Sequence, residues 1–274
     1  MEPVETFVKN KPTEHDDPES EMRVSGLRAT GTRPSSGSGS HSGRVHQEIE
    51  WQYEAPHGLG RIEAWLAGRL PGGSAVTHDG FEDLTDTYYD TEDWHLRHAG
   101  YALRTRRETQ SGKFEATMKS LAPGGGEAGN LRRWREISEP LESSEGEVLS
   151  TLPGPVGECL GTLVGSCGLR PLFEVRTRRR NFGLVFGTDR IGEVVLDRSE
   201  IPLGAGVETV RLVRVEIEAD ASAVIVDPRL ERFARTMEEA LGLQPAATSK
   251  YDVGLAAIGQ NPGDEKAGEG LEEE

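Results

Sequence analysis

Same-sign charged residues recur at every second position in several short segments of this chain. The groups are Glu48 and Glu50, Arg104 and Arg106, Arg176 with Arg178 and Arg180, and Glu216 and Glu218. A β-strand points residues i and i+2 to the same face, so each group shares one face of a predicted strand. The alternate positions are often apolar, as at Ile49, Trp51, Val215 and Ile217. This pattern predicts a sheet with one apolar face and one face of mixed charge, on which residues of the same sign occur in pairs.

Eight segments have strand-like composition, and most are bounded by Gly, Pro, Asn or Asp turns. They are residues 45–54, 84–91, 101–108, 113–121, 131–139, 172–186, 191–201 and 210–219. Helical periodicity is predicted for residues 58–70, 156–167 and 227–241, with a short helix after Lys250. The predicted fold class is α+β, an eight-stranded antiparallel β-barrel with flanking helices.

Such a charged face can belong either to an open sheet in water or to the lumen of a closed barrel. Solvated faces are common in antiparallel sheets. Same-sign neighbours repel each other, however, unless a group of opposite charge lies between them. Eight strands are enough to close a barrel. Because the pattern occurs on several strands together, it favours a lumen whose charges are balanced by a ligand.

Composition limits the other possibilities. The chain has 274 residues and a net charge of -16. Ends rich in Ser, Gly, Pro and charge predict disordered tails over 1–44 and 259–274, with one domain at 45–258. The acidic balance argues against broad nucleic-acid binding. No apolar run approaches membrane-span length, and the start lacks a signal-peptide pattern, so we expect a cytoplasmic monomer or homodimer without a membrane partner. Cys159 and Cys167 are expected to be buried thiols.

The two kinds of charge indicate a particular ligand. Carboxylates are hard oxygen ligands that suit Mg²⁺ or Mn²⁺. Arginines bind phosphate oxygens in a bidentate manner. A lumen that carries both kinds of group is therefore predicted to bind a metal-bound polyphosphate.

The motifs also follow a recognisable order. E-I-E, T-Y-Y-D-T, L-R-T-R and T-M-K on the first four strands are followed by R-T-R-R-R, L-D-R, E-I-E and S-K-Y. In kind and order, over residues 45–255, they resemble the CYTH family, the triphosphate tunnel metalloenzymes named for a class of adenylate cyclase and for thiamine triphosphatase. The resemblance implies an eight-stranded antiparallel tunnel that hydrolyses or rearranges triphosphates with a divalent metal, Mg²⁺ or Mn²⁺.

The resemblance also implies roles for individual residues. Expected metal ligands are Glu48, Glu50, Glu136, Asp197, Glu216 and Glu218. Expected phosphate-binding residues are Arg104, Arg106, Lys119, Arg178 and Lys250, with Arg176 and Arg180 as candidates beside Arg178 on a shared strand face. Expected catalytic residues are Glu48, Glu50, Lys119 and Arg178. If Glu136 faces the lumen, then Arg133 and Arg135 point outward.

One position departs from the family pattern. The first strand of the family reads E-x-E-x-K, and this chain has Gln52 where the lysine is expected. The leading interpretation is a metal-dependent triphosphatase acting on inorganic tripolyphosphate or another small triphosphate. Because Gln52 brings no charge, the second is a weak or inactive module that binds polyphosphate or nucleotides. The third is a class IV-type adenylate cyclase.

Overall fold

The computed structural model describes residues 43–121, 131–142, 149–204, 206–220, 223 and 225–260. Almost all of the tail predicted for residues 1–44, and most of that predicted for 259–274, lies outside the described residues. Among the helices of the described part, none is long and apolar enough to cross a membrane. Cys159 is partly buried and Cys167 is exposed, so the expectation of two buried thiols is wrong.

Eight long strands form one antiparallel sheet that closes on itself. In the described residues they are β1 (Arg44–Glu54), β2 (Ser74–Asp90), β3 (Tyr101–Glu108), β4 (Phe114–Ser120), β5 (Leu131–Leu141), β6 (Arg170–Phe186), β7 (Asp189–Ile201) and β8 (Val210–Ala219). The strand order is β5-β4-β3-β2-β6-β7-β8-β1, and β1 also pairs with β5. That last pairing completes a ring, which confirms the predicted eight-stranded antiparallel architecture. A two-residue strand, β9 (Gln244–Pro245), pairs with β1.

Five α-helices accompany the ring in the described residues. They are α1 (Gly60–Leu66), α2 (His95–His98), α3 (Pro155–Leu163), α4 (Pro228–Leu241) and α5 (Lys250–Ala257). The limits of α4 follow from its ends. The Asp227 side chain accepts a hydrogen bond from the Arg229 backbone N–H at 2.8 Å, and Gly242 ends the helix at φ 63°. The helices predicted at 58–70 and 156–167 are shorter than expected, and α2 was not predicted.

Most apolar positions of the strands point out of the ring and are covered by helices. One cluster joins Trp51 and Ile217 on the strands to Leu230 and Phe233 on α4, with α1 beside them. A second cluster packs α2 and α3 against β3, β4 and β5. The alternate positions point into the interior of the ring, which we call the lumen. Charged side chains predominate there. The apolar and charged faces predicted from the sequence are thus the outer and inner surfaces of this ring.

One end of the lumen is filled by α5. Tyr251 and Leu255 pack against Tyr88 and Phe173 on the inner face of β2 and β6. A Cβ added to Gly254 would lie 2.0 Å from the Phe173 ring, so only glycine allows this approach. A capping box between Ser249 and Asp252 starts the helix. This packing fixes the first residue of α5, Lys250, at the edge of the charged lumen.

Candidate active site in the lumen

The lumen contains a cavity of about 410 Å³. Eight of the predicted site residues line it, namely Glu48, Arg104, Arg106, Lys119, Glu136, Glu216, Glu218 and Lys250. Two more, Glu50 and Asp197, are almost completely buried and touch the lining residues. The structure thus brings ten predicted residues together from seven elements of the chain.

Three glutamates form the acidic part of this cavity. Carboxylate oxygens of Glu48, Glu50 and Glu218 all lie within 4.8 Å of one another, because Glu50 and Glu218 are paired across β1 and β8. Burial raises the pKa of Glu50 to about 7; Glu48 and Glu216 add to the rise, and Lys119 opposes it. The pKa of Glu218 is also raised well above its usual range. Burial is the main cause, and repulsion from Glu48 is the next.

Burial and, to a smaller extent, repulsion from neighbouring carboxylates thus disfavour the charged forms of Glu50 and Glu218. A divalent cation would relieve that repulsion, and carboxylate oxygens are the ligands that Mg²⁺ and Mn²⁺ prefer. The cluster therefore fits a divalent metal.

Lys119 lies beside the glutamate cluster. Its ammonium donates to Glu50 at 3.1 Å and forms an ion pair with Glu48. Burial alone would lower the pKa of Lys119, but Glu48 and Glu50 raise it well above its usual range. Its ammonium also lies 5.3 Å from the centre of the Trp134 ring. Lys119 is therefore a fixed positive charge within reach of both the carboxylates and the cavity.

A second charged cluster is neutralised internally. The guanidinium of Arg179 donates to Asp197 at 2.9 and 2.8 Å and to Glu216 at 3.0 Å. Lys250 donates to Glu216 at 3.1 Å and forms an ion pair with Asp197. Burial would raise the pKa of Asp197, but Arg179 and Lys250 outweigh it and hold the pKa below its usual range. In this arrangement Asp197 and Glu216 position two cations at the cavity wall.

The phosphate-binding pair predicted on β3 is held by an acid that the sequence analysis did not single out. Arg106 donates to both oxygens of Asp86, at 2.7 and 2.8 Å, and Arg104 lies 3.6 Å from the same carboxylate. Although burial acts to raise it, the pKa of Asp86 is lowered to about 2 by Arg106 and Arg104. Asp86 stands between threonines in T-D-T and has no same-sign partner, so the charge pattern did not reveal it.

The predicted arginines of β6 point the other way. Arg178 has 87% of its side chain exposed and Arg176 has 64%, and Arg180 forms an ion pair with Glu63 of α1. The residue that faces the lumen is Arg179, between two of them. The placement of Arg176, Arg178 and Arg180 on the lumen face is therefore wrong by one position.

The packing of β6 explains this error. Phe173 and Val175 are buried on the inner face beneath α5, whereas Phe182 and Leu184 are buried on the outer face with α1 and α4. The apolar residues thus change face along one strand, so alternation alone does not reveal the direction of the arginines between them. Arg135 is exposed while Glu136 lines the cavity, as expected. Arg133 is partly buried and lies opposite Ile49 of β1.

Gln52 occupies the inner face of β1 and is bound on both sides. Its amide nitrogen lies 3.2 and 3.1 Å from the two Glu50 oxygens and 3.3 Å from Glu216. Its amide oxygen accepts a hydrogen bond from Arg132 at 2.9 Å. Arg132 was not among the predicted site residues, although it shares a strand face with Trp134 and Glu136 and that parity could have identified it.

Comparison with known proteins agrees with this geometry. The sequence model described as the CYTH domain matches residues 46–247. No curated protein matches the chain by sequence.

Two solved structures share the fold. A Hippeastrum protein, HpAC1, whose description reports a dominant triphosphatase activity, is 18% identical, with a TM-score of 0.55 over 78% of this chain and 97% of that one. A Bacillus halodurans protein provisionally assigned as an adenylate cyclase is 20% identical, with a TM-score of 0.52 over 75% of this chain and 95% of that one. At these identities the likeness establishes a common fold.

Proposed function

This chain belongs to the CYTH domain family, and from that premise we propose that it is a divalent-metal-dependent triphosphatase. The observation that carries the proposal is the presence of a carboxylate cluster and of several basic side chains in one cavity. Glu48, Glu50 and Glu218 form the cluster, and basic side chains from β3, β4, β6 and α5 line the same cavity. A metal-bound polyphosphate is the ligand that would satisfy both sets at once.

The basic residues would bind the substrate and stabilise its charge. Phosphoryl transfer depends mainly on positioning and on neutralising charge. Arg104 and Arg106 are held in place by Asp86, and Arg179 and Lys250 by Asp197 and Glu216. Such fixed cations need little reorganisation to stabilise the charge on a departing pyrophosphate.

The glutamate cluster would hold the metal. Glu48, Glu50 and Glu218 offer carboxylate oxygens close enough together to share one ion. When bound, a divalent ion supplies charge neutralisation and polarises phosphate oxygens. A carboxylate of this cluster would accept a hydrogen bond from the attacking water and orient it toward the phosphorus.

Inorganic tripolyphosphate is the leading substrate of this proposal. Three aromatic residues of the described chain line the cavity, Tyr88, Trp134 and Tyr251, and each already has a partner against its ring. Tyr88 stacks on Phe173 at 4.9 Å and lies 5.5 Å from Tyr251. The Trp134 ring has the Lys119 ammonium at 5.3 Å and the Arg132 guanidinium at 5.9 Å. A ligand that consists of phosphates alone makes full use of the charged lining without a base-stacking surface. The triphosphatase activity in the description of HpAC1 is in keeping with this choice.

Two other functions remain as alternatives. Gln52 motivates a module that binds polyphosphate or nucleotides without turnover, since it places an uncharged group in the row of β1 acids. The description of the Bacillus halodurans protein motivates an adenylate cyclase.

A substrate panel separates these functions. The protein is assayed with Mg²⁺ and with Mn²⁺ on tripolyphosphate, ATP and thiamine triphosphate, beside a Glu48→Gln/Glu50→Gln variant. We expect phosphate release from tripolyphosphate, reduced at least about 100-fold in the variant. Tight binding without release would replace the triphosphatase by the binding module, and cyclic AMP formed from ATP would replace it by the cyclase.

A further inference from the structure

Gln52 has contacts on both sides of its amide that a lysine could not reproduce. Only 8% of the residue is exposed. Its nitrogen lies within 3.3 Å of carboxylate oxygens of Glu50 and Glu216, and its oxygen accepts from Arg132. An amide can donate to carboxylates and accept from a guanidinium at the same time, whereas an ammonium can only donate. The amide of Gln52 therefore suits a position with acids on one side and a cation on the other.

Arg132 is fixed in the position where it meets Gln52. It lies on β5 directly opposite Glu50 of β1. One nitrogen of its guanidinium donates to Gln52 at 2.9 Å, and another contacts the Ala246 carbonyl oxygen. The guanidinium also lies 5.9 Å from the centre of the Trp134 ring. These contacts hold a positive charge next to Gln52, the uncharged residue that follows Glu48 and Glu50 on the inner face of β1.

We propose that Gln52 and Arg132 form a positioning pair. Together they replace the lysine that the E-x-E-x-K pattern places at position 52. Gln52 holds Glu50 and Glu216 in fixed orientations through its nitrogen. Arg132, which is anchored on the Gln52 amide oxygen, supplies the positive charge. That charge lies one side chain farther from the carboxylates than the ammonium of a lysine at position 52 would. This pair deepens the proposed function and rests on it for the identity of the anion, but its effect on the carboxylates does not depend on turnover.

The pair makes a counterintuitive prediction about Gln52→Lys. If the site simply lacked a charge, a lysine would strengthen the binding of a polyanion in any background. If the pair exists, the new ammonium meets the Arg132 guanidinium and removes the acceptor that anchors it. The same lysine should then be harmful beside Arg132 and beneficial once Arg132 is neutralised.

A double-mutant cycle tests this coupling. The proteins are wild type, Gln52→Lys, Arg132→Gln and the combination of the two. Calorimetry measures the affinity for tripolyphosphate in EDTA and for Mn²⁺ alone. We expect each single variant to weaken tripolyphosphate binding about ten-fold and the combination to return within about three-fold of wild type, as for coupled neighbours. An equal effect of Gln52→Lys in both backgrounds would overturn the pair.

Two further variants guard against a general loss of structure. Arg135→Gln removes an exposed arginine from the same strand and should change neither affinity by more than about two-fold. Gln52→Met keeps the volume of the side chain and loses both sets of hydrogen bonds. It should weaken Mn²⁺ binding about ten-fold, as loss of an orienting partner of metal ligands does. Unchanged Mn²⁺ affinity in Gln52→Met would overturn the positioning role even if Gln52→Lys does not fold.

The outcome separates this pair from the proposed function. A coupled cycle in a protein that hydrolyses none of the substrates would support the pair and overturn the triphosphatase. An additive cycle in an active enzyme would overturn the pair alone.

Discussion

At the scale of single residues, adjacent arginines on β6 have opposite environments. Arg179 reaches two buried carboxylates, whereas Arg178 lies 3.6 Å from Asp83 with 87% of its side chain in solvent. The two residues have the same chemistry and differ only in the face of the strand. They therefore form a matched pair for testing which face carries the function.

Replacing Arg179 should damage activity far more than replacing Arg178. Arg179→Gln removes a fixed cation from the cavity wall, and loss of one such charge-stabilising donor typically lowers kcat by about 100- to 1,000-fold. Arg178→Gln removes an exposed charge and should stay within about two-fold. Steady-state kinetics with tripolyphosphate and Mn²⁺ checks both.

A control is needed because Arg179 also pairs with Asp197 and Glu216. Arg179→Lys keeps a charge near these acids, so its free energy of unfolding should fall less than that of Arg179→Gln. If Arg178→Gln and Arg179→Gln lost equal activity, the assignment of Arg179 to the lumen would be contradicted.

Some residues of the candidate site could be identified from the sequence, and others could not. The glutamate pairs of β1 and β8 were identifiable because each repeats one charge at a spacing of two. Asp86 and Arg179 were missed because each is recognisable only from the side chains it meets on other strands. Those partners depend on the register between strands, and charge alternation along one strand contains no register information. Arg132 could have been identified from its parity with Glu136 on β5.

At the scale of secondary-structure elements, α5 determines where Lys250 lies. Its Gly254 backbone approaches Phe173 so closely that any Cβ would overlap the ring. The helix is short, and its position depends on this contact and on the capping box at Ser249. Strand and helix composition predicted the ring and most of the helices, but the insertion of α5 depends on this long-range fit.

Gly254→Ala should therefore displace α5. We expect the free energy of unfolding to fall by about 1–3 kcal/mol, the usual result of overpacking, and tripolyphosphate affinity to fall with it because Lys250 moves. Urea denaturation and calorimetry measure the two effects. Gly161→Ala on α3 is the matched control, since a Cβ there meets no atom within 4 Å, and it should leave stability unchanged or raise it by up to about 1 kcal/mol. Similar losses in both variants would argue against a special fit at Gly254.

At the scale of the whole molecule, the acids of the lumen differ from those of the surface in their contact with water. Net charge over the full chain is -16, yet the exposed surface can spread its charge into solvent. For Glu50 and Glu218, by contrast, burial and neighbouring acids disfavour the charged carboxylate and raise the pKa values. The metal-free protein consequently carries an electrostatic cost that a bound cation would offset.

This cost predicts how stability depends on pH without metal. The pKa of Glu50 rises from 4.5 in the unfolded chain to about 7 in the folded one. Between these values the folded state binds the proton and the unfolded state does not, so stability falls as pH rises. We expect the free energy of unfolding in EDTA to decrease by about 1–3 kcal/mol from pH 5 to pH 8 through this group.

Glu50→Gln provides the comparison for that prediction. The variant lacks the titrating carboxyl, so its unfolding free energy should fall less over the same range. Identical pH dependence in the variant and the wild type would contradict the raised pKa of Glu50.

The most direct test of the whole account is the metal dependence of phosphate release from tripolyphosphate in wild type and Glu218→Gln. We expect activity with Mn²⁺, none in EDTA, and a loss of at least about 100-fold in Glu218→Gln together with weaker Mn²⁺ binding. Glu239→Gln, an exposed change on α4, should match wild type. Equal rates in EDTA and Mn²⁺, or full activity in Glu218→Gln, would contradict it.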